Sequence, residues 1–211
     1  MPSFDTSIEK FRAISTSTIS DALDRFNTNG VLTGINPVNI GKRIVGPAFT
    51  VKSCLTEKAG NESSLKSLIA YIDHVGKGEI LIIDSGGLNI SSIGGLASFY
   101  MSKNEVEGAV VDGGIRDVEE IRETGFNVFS RHITPLTGMK RVSVISWNVP
   151  VYCGGVLIQP GDIIVGDETG VVRIPIDKVE QVLNFCLEKE AKEDHIKKEI
   201  IKGNRLSELY K

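Results

Sequence analysis

Three short runs rich in β-branched residues, 79–84 (EILIID), 108–112 (GAVVD) and 127–131 (NVFSR), alternate with segments of helical character at 96–104 and from Asp117 onward. This alternation constrains the fold more than any other feature, because parallel strands need a crossover of about a dozen or more residues, usually a helix. Right-handed crossovers place the strands at 79–84 and 108–112 parallel and side by side. The glycine-rich loop that follows the first (85–95) and the short loop that follows the second (113–116) then emerge together at the carboxyl ends, where open α/β sheets hold ligands.

The flanking sequence predicts a mixed fold. Apolar residues at helical intervals predict helices over 7–14 and 17–26, with Ser and Thr around 15–18 as caps. RIVGPAFTVK (43–52) reads as a strand with a break at Gly46-Pro47 or an edge position. A helix is predicted over 64–71, and Gly76 and Gly78 turn the chain into the first parallel strand; since they precede the strand, they form no dinucleotide fingerprint. From 141 to 174, β-rich runs broken by Pro150, Gly154-Gly155 and Pro160-Gly161 predict antiparallel strands with tight turns. Asp177 is a candidate cap for a last helix in which Val179, Val182, Leu183 and Leu187 share a face, with Gly203 as its stop. No repeat or linker divides residues 1–211, which read as one α/β domain with a central β-α-β-α-β parallel unit, an antiparallel β-rich C-terminal half, and helices at both ends.

Composition narrows the function. With 24 Lys and Arg against 27 Asp and Glu the net charge is −3, and no basic block interleaves with aromatics, which argues against direct nucleic-acid binding. The N-terminal segment carries Asp5 and Glu9 where a signal peptide needs an apolar core, and no apolar stretch has the length of a membrane span, so a cytoplasmic location is expected. Cys54, Cys153 and Cys186 lack metal or redox spacing and are expected to be incidental thiols.

The two loops carry the chemistry. With Gly94 and Gly95 ahead of a helix that begins at about Leu96, free backbone N–H groups of its first turn can face a carboxylate unobstructed. Arg116 offers a planar, permanently cationic fork and Asp117 an oxygen ligand for a hard cation, a pairing suited to a 2-oxo acid. Plainer readings stand beside these: Asp117 and Glu120 form a D-x-x-E capping box, Arg116 is a surface cation paired with Glu119 or Glu120, and Gly113-Gly114 supply positive φ. No Lys occurs in either loop, and Lys103 lies at the far end of the intervening helix, which disfavours a Schiff base. His132, just past a parallel strand, is the candidate general acid or base ahead of His74 and His195. Asp84 and Asp112 end strands and either reach the site or bind a turn; Asp21 and Asp167-Glu168 are candidates for completing a neighbouring subunit's site.

GGLASFYMSKNEVEGAVVDGGIRDVEE resembles the signature of the RraA-like proteins, which include 4-hydroxy-4-methyl-2-oxoglutarate aldolases and oxaloacetate decarboxylases. The resemblance extends through STSTISDALDRF, GKRIVGPAFTV, GEILIIDSGG, NVFSRHITP and VLIQPGDIIVGDETGVVRIP. The family's G-x20-R-D-x2-E/D pattern falls here on Gly95, Arg116, Asp117 and Glu120. It implies that the backbone of Gly94, Gly95, Leu96 and Ala97 and the side chain of Arg116 hold substrate, that Arg116 and Asp117 are catalytic, and that Asp117, with Glu120, holds Mg²⁺ or Mn²⁺. It further implies a swivelling-type layered α/β sandwich assembled as a homotrimer or homohexamer, and a metal-dependent lyase that forms pyruvate enolate from a 2-oxo acid. Some family aldolases carry Asp where this chain has Gly95, which leaves the preferred substrate open. The family's namesake is a protein-binding ribonuclease regulator, the alternative reading; a methyltransferase label is disfavoured by the absence of a G-x-G run after a strand.

Overall fold

The computed structural model describes residues 4–56, 66 and 69–209. The helix predicted over 64–71 lies largely outside these residues. The chain opens with α1 (Phe4–Lys10), a 3-10 turn (Phe11–Ala13) and α2 (Thr16–Arg25), whose N-cap Ser15 accepts the Thr18 N–H. Short strands β1 (Val31–Leu32) and β2 (Asn36–Pro37) precede β3 (Ile44–Leu55) and β4 (Ile80–Ile93). Then come α3 (Gly95–Lys103), β5 (Gly108–Ile115), α4 (Val118–Thr124) and β6 (Val128–Ile133). The C-terminal half holds β7 (Val142–Trp147), β8 (Val151–Cys153), β9 (Val156–Ile158), β10 (Ile163–Asp167) and β11 (Gly170–Ile174), followed by α5 (Val179–Ile201) and α6 (Leu206–Leu209).

Among the described residues, nine strands form one sheet in the order β1-β11-β10-β3-β4-β5-β6-β2, with β7 pairing β3, and β8–β9 form a separate hairpin. The stretch β3-β4-β5-β6 is parallel throughout, and every strand joined to it beyond these four is antiparallel. This is the mixed α/β architecture expected from the alternation of strands and helices.

The parallel strands are buried on both faces, which explains why they read as unbroken apolar runs rather than alternating ones. Phe49, Val51, Leu81, Ile83, Ala109 and Val111 face Met101 of α3 and Ile121 of α4. On the opposite face, Ala48, Ile80, Ile82, Val110 and Phe129 pack on Val151, Cys153, Val156 and Ile158 of the hairpin. A third cluster joins Phe11, Ile19 and Leu23 near the N-terminus to Ile163 and Val165 of β10, to Val172 and Ile174 of β11, and to Val182, Leu183 and Cys186 of α5.

Several boundaries differ from the sequence reading. β3 is neither broken nor an edge: Pro47 sits at the last register position of its antiparallel ladder with β10, and the strand switches at Ala48 to parallel pairing with β4. Gly46 is needed there because a Cβ would run into the carbonyl oxygen of Gly78. The segment 85–95 is not a free loop; β4 continues to Ile93 through register shifts, helped by Gly86 and Gly87 at φ 62° and 75°. Gly113 and Gly114 lie inside β5 and not at positive φ; a Cβ would meet Ser85 Cβ at 2.8 Å from Gly113, and the Ile90 carbonyl oxygen at 2.8 Å from Gly114. Asp177 falls in a 3-10 turn (Ile176–Lys178), and the α5 N-cap is Lys178 with no side-chain cap. Gly203, at φ 94°, does end α5.

Candidate active site

β4 and β5 run parallel and adjacent, so the starts of α3 and α4 meet at one edge of the sheet. Gly94 is the α3 N-cap, in extended conformation, and Asp117 is the α4 N-cap, at φ 57° and ψ 44°. Asp117 does not cap its own helix: the capping box with Glu120 does not form. Its Oδ2 instead accepts the Gly95 N–H at 3.1 Å across the gap between the two helices. The same oxygen lies 3.3 Å from Arg116 Nε, so Arg116 pairs with Asp117 and not with Glu119 or Glu120. Both side chains of this ion pair stay about two-fifths exposed, at 42% and 40%.

Both glycines lie against side chains of the site, which an added Cβ would have to displace. A Cβ on Gly94 would come within 3.1 Å of Arg116 Nε, and one on Gly95 would overlap the Glu120 carboxylate. Gly94, Gly95, Arg116, Asp117 and Glu120 are therefore brought together. The Gly95 N–H is already engaged by Asp117, which leaves the Leu96 and Ala97 N–H groups, without an acceptor among the described residues, for an anion at the α3 N-terminus.

An open cleft of about 580 Å³ lies over Arg116, Asp117, Glu119 and Glu120. Its other wall is Val118 with Ile133, Thr134 and Pro135, which the sequence reading did not single out. The signal was present, since HITP closes β6, the next parallel strand, and the Thr134 N–H bonds the Ile115 carbonyl at 2.9 Å to bring this segment beside Arg116.

Other candidates fall elsewhere. His132 does not line the cleft; its Nε2 lies 3.1 Å from the Gly87 carbonyl oxygen. His74 stacks on Trp147, and His195 lies on α5. Asp84 and Asp112 are buried neighbours in register. Asp84 takes Lys52 Nζ at 2.7 Å and the backbone N–H groups of Tyr152 and Gly86. Asp112 takes Arg131 Nε at 2.5 Å and the Gly154 N–H at 2.7 Å. Both carboxylates clamp the β8–β9 hairpin onto the sheet. Cys153 lies between them, and burial, followed by those two charges, raises its thiol far above the ordinary range. Burial likewise pushes Cys186 up to about 12, while Cys54 is exposed. Asp21 pairs with Lys189, Asp167 binds the start of α2 through Thr16, and Glu168 accepts the Gly41 N–H. Lys103 stands over the Phe99 ring at 5.3 Å, at the end of α3 away from Gly95.

Among the described residues, no helix is long and apolar enough to cross a membrane, and no group of three or more His, Cys, Asp or Glu is placed to hold a metal ion.

Residues 16–173 match the RraA-like family, described as Aldolase/RraA. The chain is 37% identical over 191 residues to Protein DlpA of Legionella pneumophila, covering 90% of this chain and 31%, about a third, of that longer protein. It is 36% identical over 198 residues to a Halalkalibacterium halodurans protein named "Putative 4-hydroxy-4-methyl-2-oxoglutarate aldolase", covering 93% of this chain and 89% of that one. The fold superposes on a crystal structure of an uncharacterized Pseudomonas syringae protein with a TM-score of 0.87 at 27% identity, covering 100% of both chains. It also superposes on Streptomyces coelicolor RraAS2, described as an unusual member of the RNase ES inhibitor RraA protein family, with a TM-score of 0.78 at 25% identity over 90% of this chain and 94% of that one. With the match spanning most of the sequence and the fold agreeing throughout, the chain belongs to the RraA-like (Aldolase/RraA) family.

Proposed function

We propose that this chain is a lyase that cleaves a carbon–carbon bond of a 2-oxo acid to release pyruvate, as a 4-hydroxy-4-methyl-2-oxoglutarate aldolase, an oxaloacetate decarboxylase, or both. The observation that carries this reading is the Arg116–Asp117 pair held against the start of α3, with the Leu96 and Ala97 N–H groups beside it. The aldolase name of the Halalkalibacterium halodurans relative supports the reaction class.

The donor set fits a hard divalent cation. Asp117 accepts the Gly95 N–H and Glu120 stands where a Gly95 Cβ would be, giving two carboxylates and no soft ligand beside one glycine. Mg²⁺ or Mn²⁺, oxygen-seeking ions that keep much of their water shell, suit a site that offers carboxylates and no nitrogen or sulfur ligand. Bound there, such an ion would supply Lewis-acid polarisation of the 2-oxo group.

The chain's own residues do the rest. The α3 N-terminus and the Arg116 fork bind the substrate carboxylate and orient the adjacent ketone. In aldol cleavage, the retro-aldol direction, the C4 hydroxyl gives up its proton to a water molecule in the open cleft, the C3–C4 bond breaks, and its electron pair passes through C3 to the C2 oxygen as the carbonyl fragment leaves. In decarboxylation the same bond breaks and carbon dioxide leaves. Protonation at C3 then gives pyruvate. Arg116 stabilises the charge that builds on the C2 oxygen, a fixed cation being far more effective there than bulk water. We further propose a cytoplasmic protein assembled as a homotrimer or homohexamer.

The test is pyruvate release from oxaloacetate and from 4-hydroxy-4-methyl-2-oxoglutarate, with Mg²⁺ or Mn²⁺ and with chelator. Turnover that chelator abolishes and fresh metal restores is expected. The likeness to RraAS2 supports a second reading, a non-catalytic regulator that binds a ribonuclease. No pyruvate from either compound with either metal, together with metal-independent binding to a ribonuclease, would establish that reading instead.

A further inference from the structure

We infer that the Asp117 carboxylate stands in the place of the substrate's own carboxylate, so that the site takes an anion only after a divalent cation has claimed Asp117. The inference rests on the lyase reading above and sets the order in which that site fills.

An incoming carboxylate is offered the first-turn N–H groups of α3 and the Arg116 guanidinium. Asp117 Oδ2 already meets one donor of each kind, 3.1 Å from the Gly95 nitrogen and 3.3 Å from Arg116 Nε. It also lies over the N-cap, since a Cβ on Gly94 would be 2.5 Å from it. Glu120 crowds the same turn, its carboxylate standing where a Gly95 Cβ would be. Two carboxylates thus sit at the positive end of α3 and gain from it what an anionic ligand would gain. An anion arriving alone must displace Asp117 from both donors or settle beside two like charges, and either course costs affinity. Asp117 Oδ1 has no hydrogen-bond partner among the described residues, which leaves that carboxylate open to a hard cation. A carboxylate that also serves a cation is a weaker acceptor, so Asp117 then gives up Gly95 and Arg116 to the substrate. By linkage, cation and anion each raise the other's affinity.

Two substitutions separate this arrangement from a simple effect of charge. Asp117→Gly keeps the φ of 57° without strain and removes the occupying carboxylate. Glu119→Gln removes one negative charge from the same cleft and leaves the Asp117 contacts intact. The probe is oxalate, an unreactive anion shaped like pyruvate enolate, titrated by calorimetry into protein stripped of metal. Asp117→Gly is expected to bind it about tenfold more tightly than wild type, because two charge-assisted donors are released. Glu119→Gln should gain no more than about threefold, the effect of one screened charge. Asp117→Asn, which loses the charge but keeps an acceptor for the Gly95 N–H, should fall between them, and it gives the same contrast if the glycine variant does not fold. Mn²⁺, followed by the loss of its free-ion electron paramagnetic resonance signal, should bind the wild type without oxalate and then raise its affinity for oxalate. Asp117 variants that bind oxalate no better than Glu119→Gln, or Mn²⁺ that binds only once oxalate is present, would overturn the inference and leave the lyase reading standing. A wild type that binds oxalate neither with Mn²⁺ nor without it, and releases no pyruvate from oxaloacetate, removes both together.

Discussion

Asp117 holds a left-handed backbone conformation, at φ 57° and ψ 44°, which disfavours most side chains by about 1–2 kcal/mol. The compensation is positional: the turn aims its carboxylate at the Gly95 N–H and Arg116 instead of at its own helix. Asn tolerates this conformation and can still accept the Gly95 bond, so Asp117→Asn should keep stability within about 0.5 kcal/mol of wild type while losing pyruvate release. Asp117→Ala should lose the activity and also about 1–2 kcal/mol in a denaturant titration. Arg116→Ala, at a 42% exposed side chain, should cut kcat by about 10²-fold or more with little change in Tm. A Tm loss that scales with the activity loss in both Asp117→Asn and Arg116→Ala would mark the pair as structural. The pair was legible in the sequence through its place after the second parallel strand and through the resemblance to the RraA-like pattern, but its geometry was not. D-x-x-E is equally a capping box, and only the neighbouring glycine, three-dimensionally close and distant in sequence, decides which partner the carboxylate takes.

At the scale of elements, the parallel strands and the helices between them followed from periodicity, whereas strand ends and the short strands β1 and β2 did not. Gly86-Gly87 and Gly113-Gly114 look like loop residues because glycine punctuates loops, yet they lie in β4 and β5, the first pair at positive φ and the second where neighbouring atoms leave no space for a Cβ. The β8–β9 hairpin depends on a similar fit: Gly154 is at φ 57°, and a Cβ on it would stand 2.8 Å from the Leu32 Cα. Gly154→Ala should therefore destabilise the fold by about 1–3 kcal/mol, measured by denaturant unfolding, whereas Gly125→Ala, at φ 70° with open space, should lose only the backbone strain. The start of α2 carries a pH dependence. Burial of Asp167 pushes its carboxyl up, but hydrogen bonds from Thr16 and Thr169 and the charge of Arg43 together outweigh that and hold it below the usual range. A carboxyl lowered in the folded state contributes stability above its unfolded value, about 3.9, and loses it as pH falls through the folded one. Asp167→Asn should thus destabilise at neutral pH, with the Tm gap to wild type closing in acid. A gap independent of pH would mean that the bonds matter and the charge does not.

For the whole molecule, the parallel unit could be read from local sequence because each crossover is local, while the pairing of β3 with β10, β4 and β7 joins segments far apart and leaves no local mark beyond Gly46-Pro47. The same distinction applies to assembly. α3, GLASFYMSK, carries apolar residues on its outer side as well as its inner one: Met101 is buried in the core, while Leu96 is 80%, Phe99 48% and Tyr100 42% exposed. Exposed apolar residues grouped on one side of a helix mark a surface that another chain can cover, and this outer side begins at the residues that frame the candidate site. If copies of the chain cover it, as the proposed trimer or hexamer requires, then a charge placed there should separate subunits without unfolding them. Sedimentation of the wild type should show a trimer or hexamer. Phe99→Glu, outside both the ion pair and the cleft lining but on the exposed side of α3, should shift it toward monomer with an unchanged far-ultraviolet circular dichroism spectrum. Loss of turnover on dissociation would then show that a neighbouring copy completes the site, and retained turnover in the monomer would show that Arg116, Asp117 and Glu120 suffice within one chain. A wild-type monomer at micromolar concentration would overturn the proposed assembly.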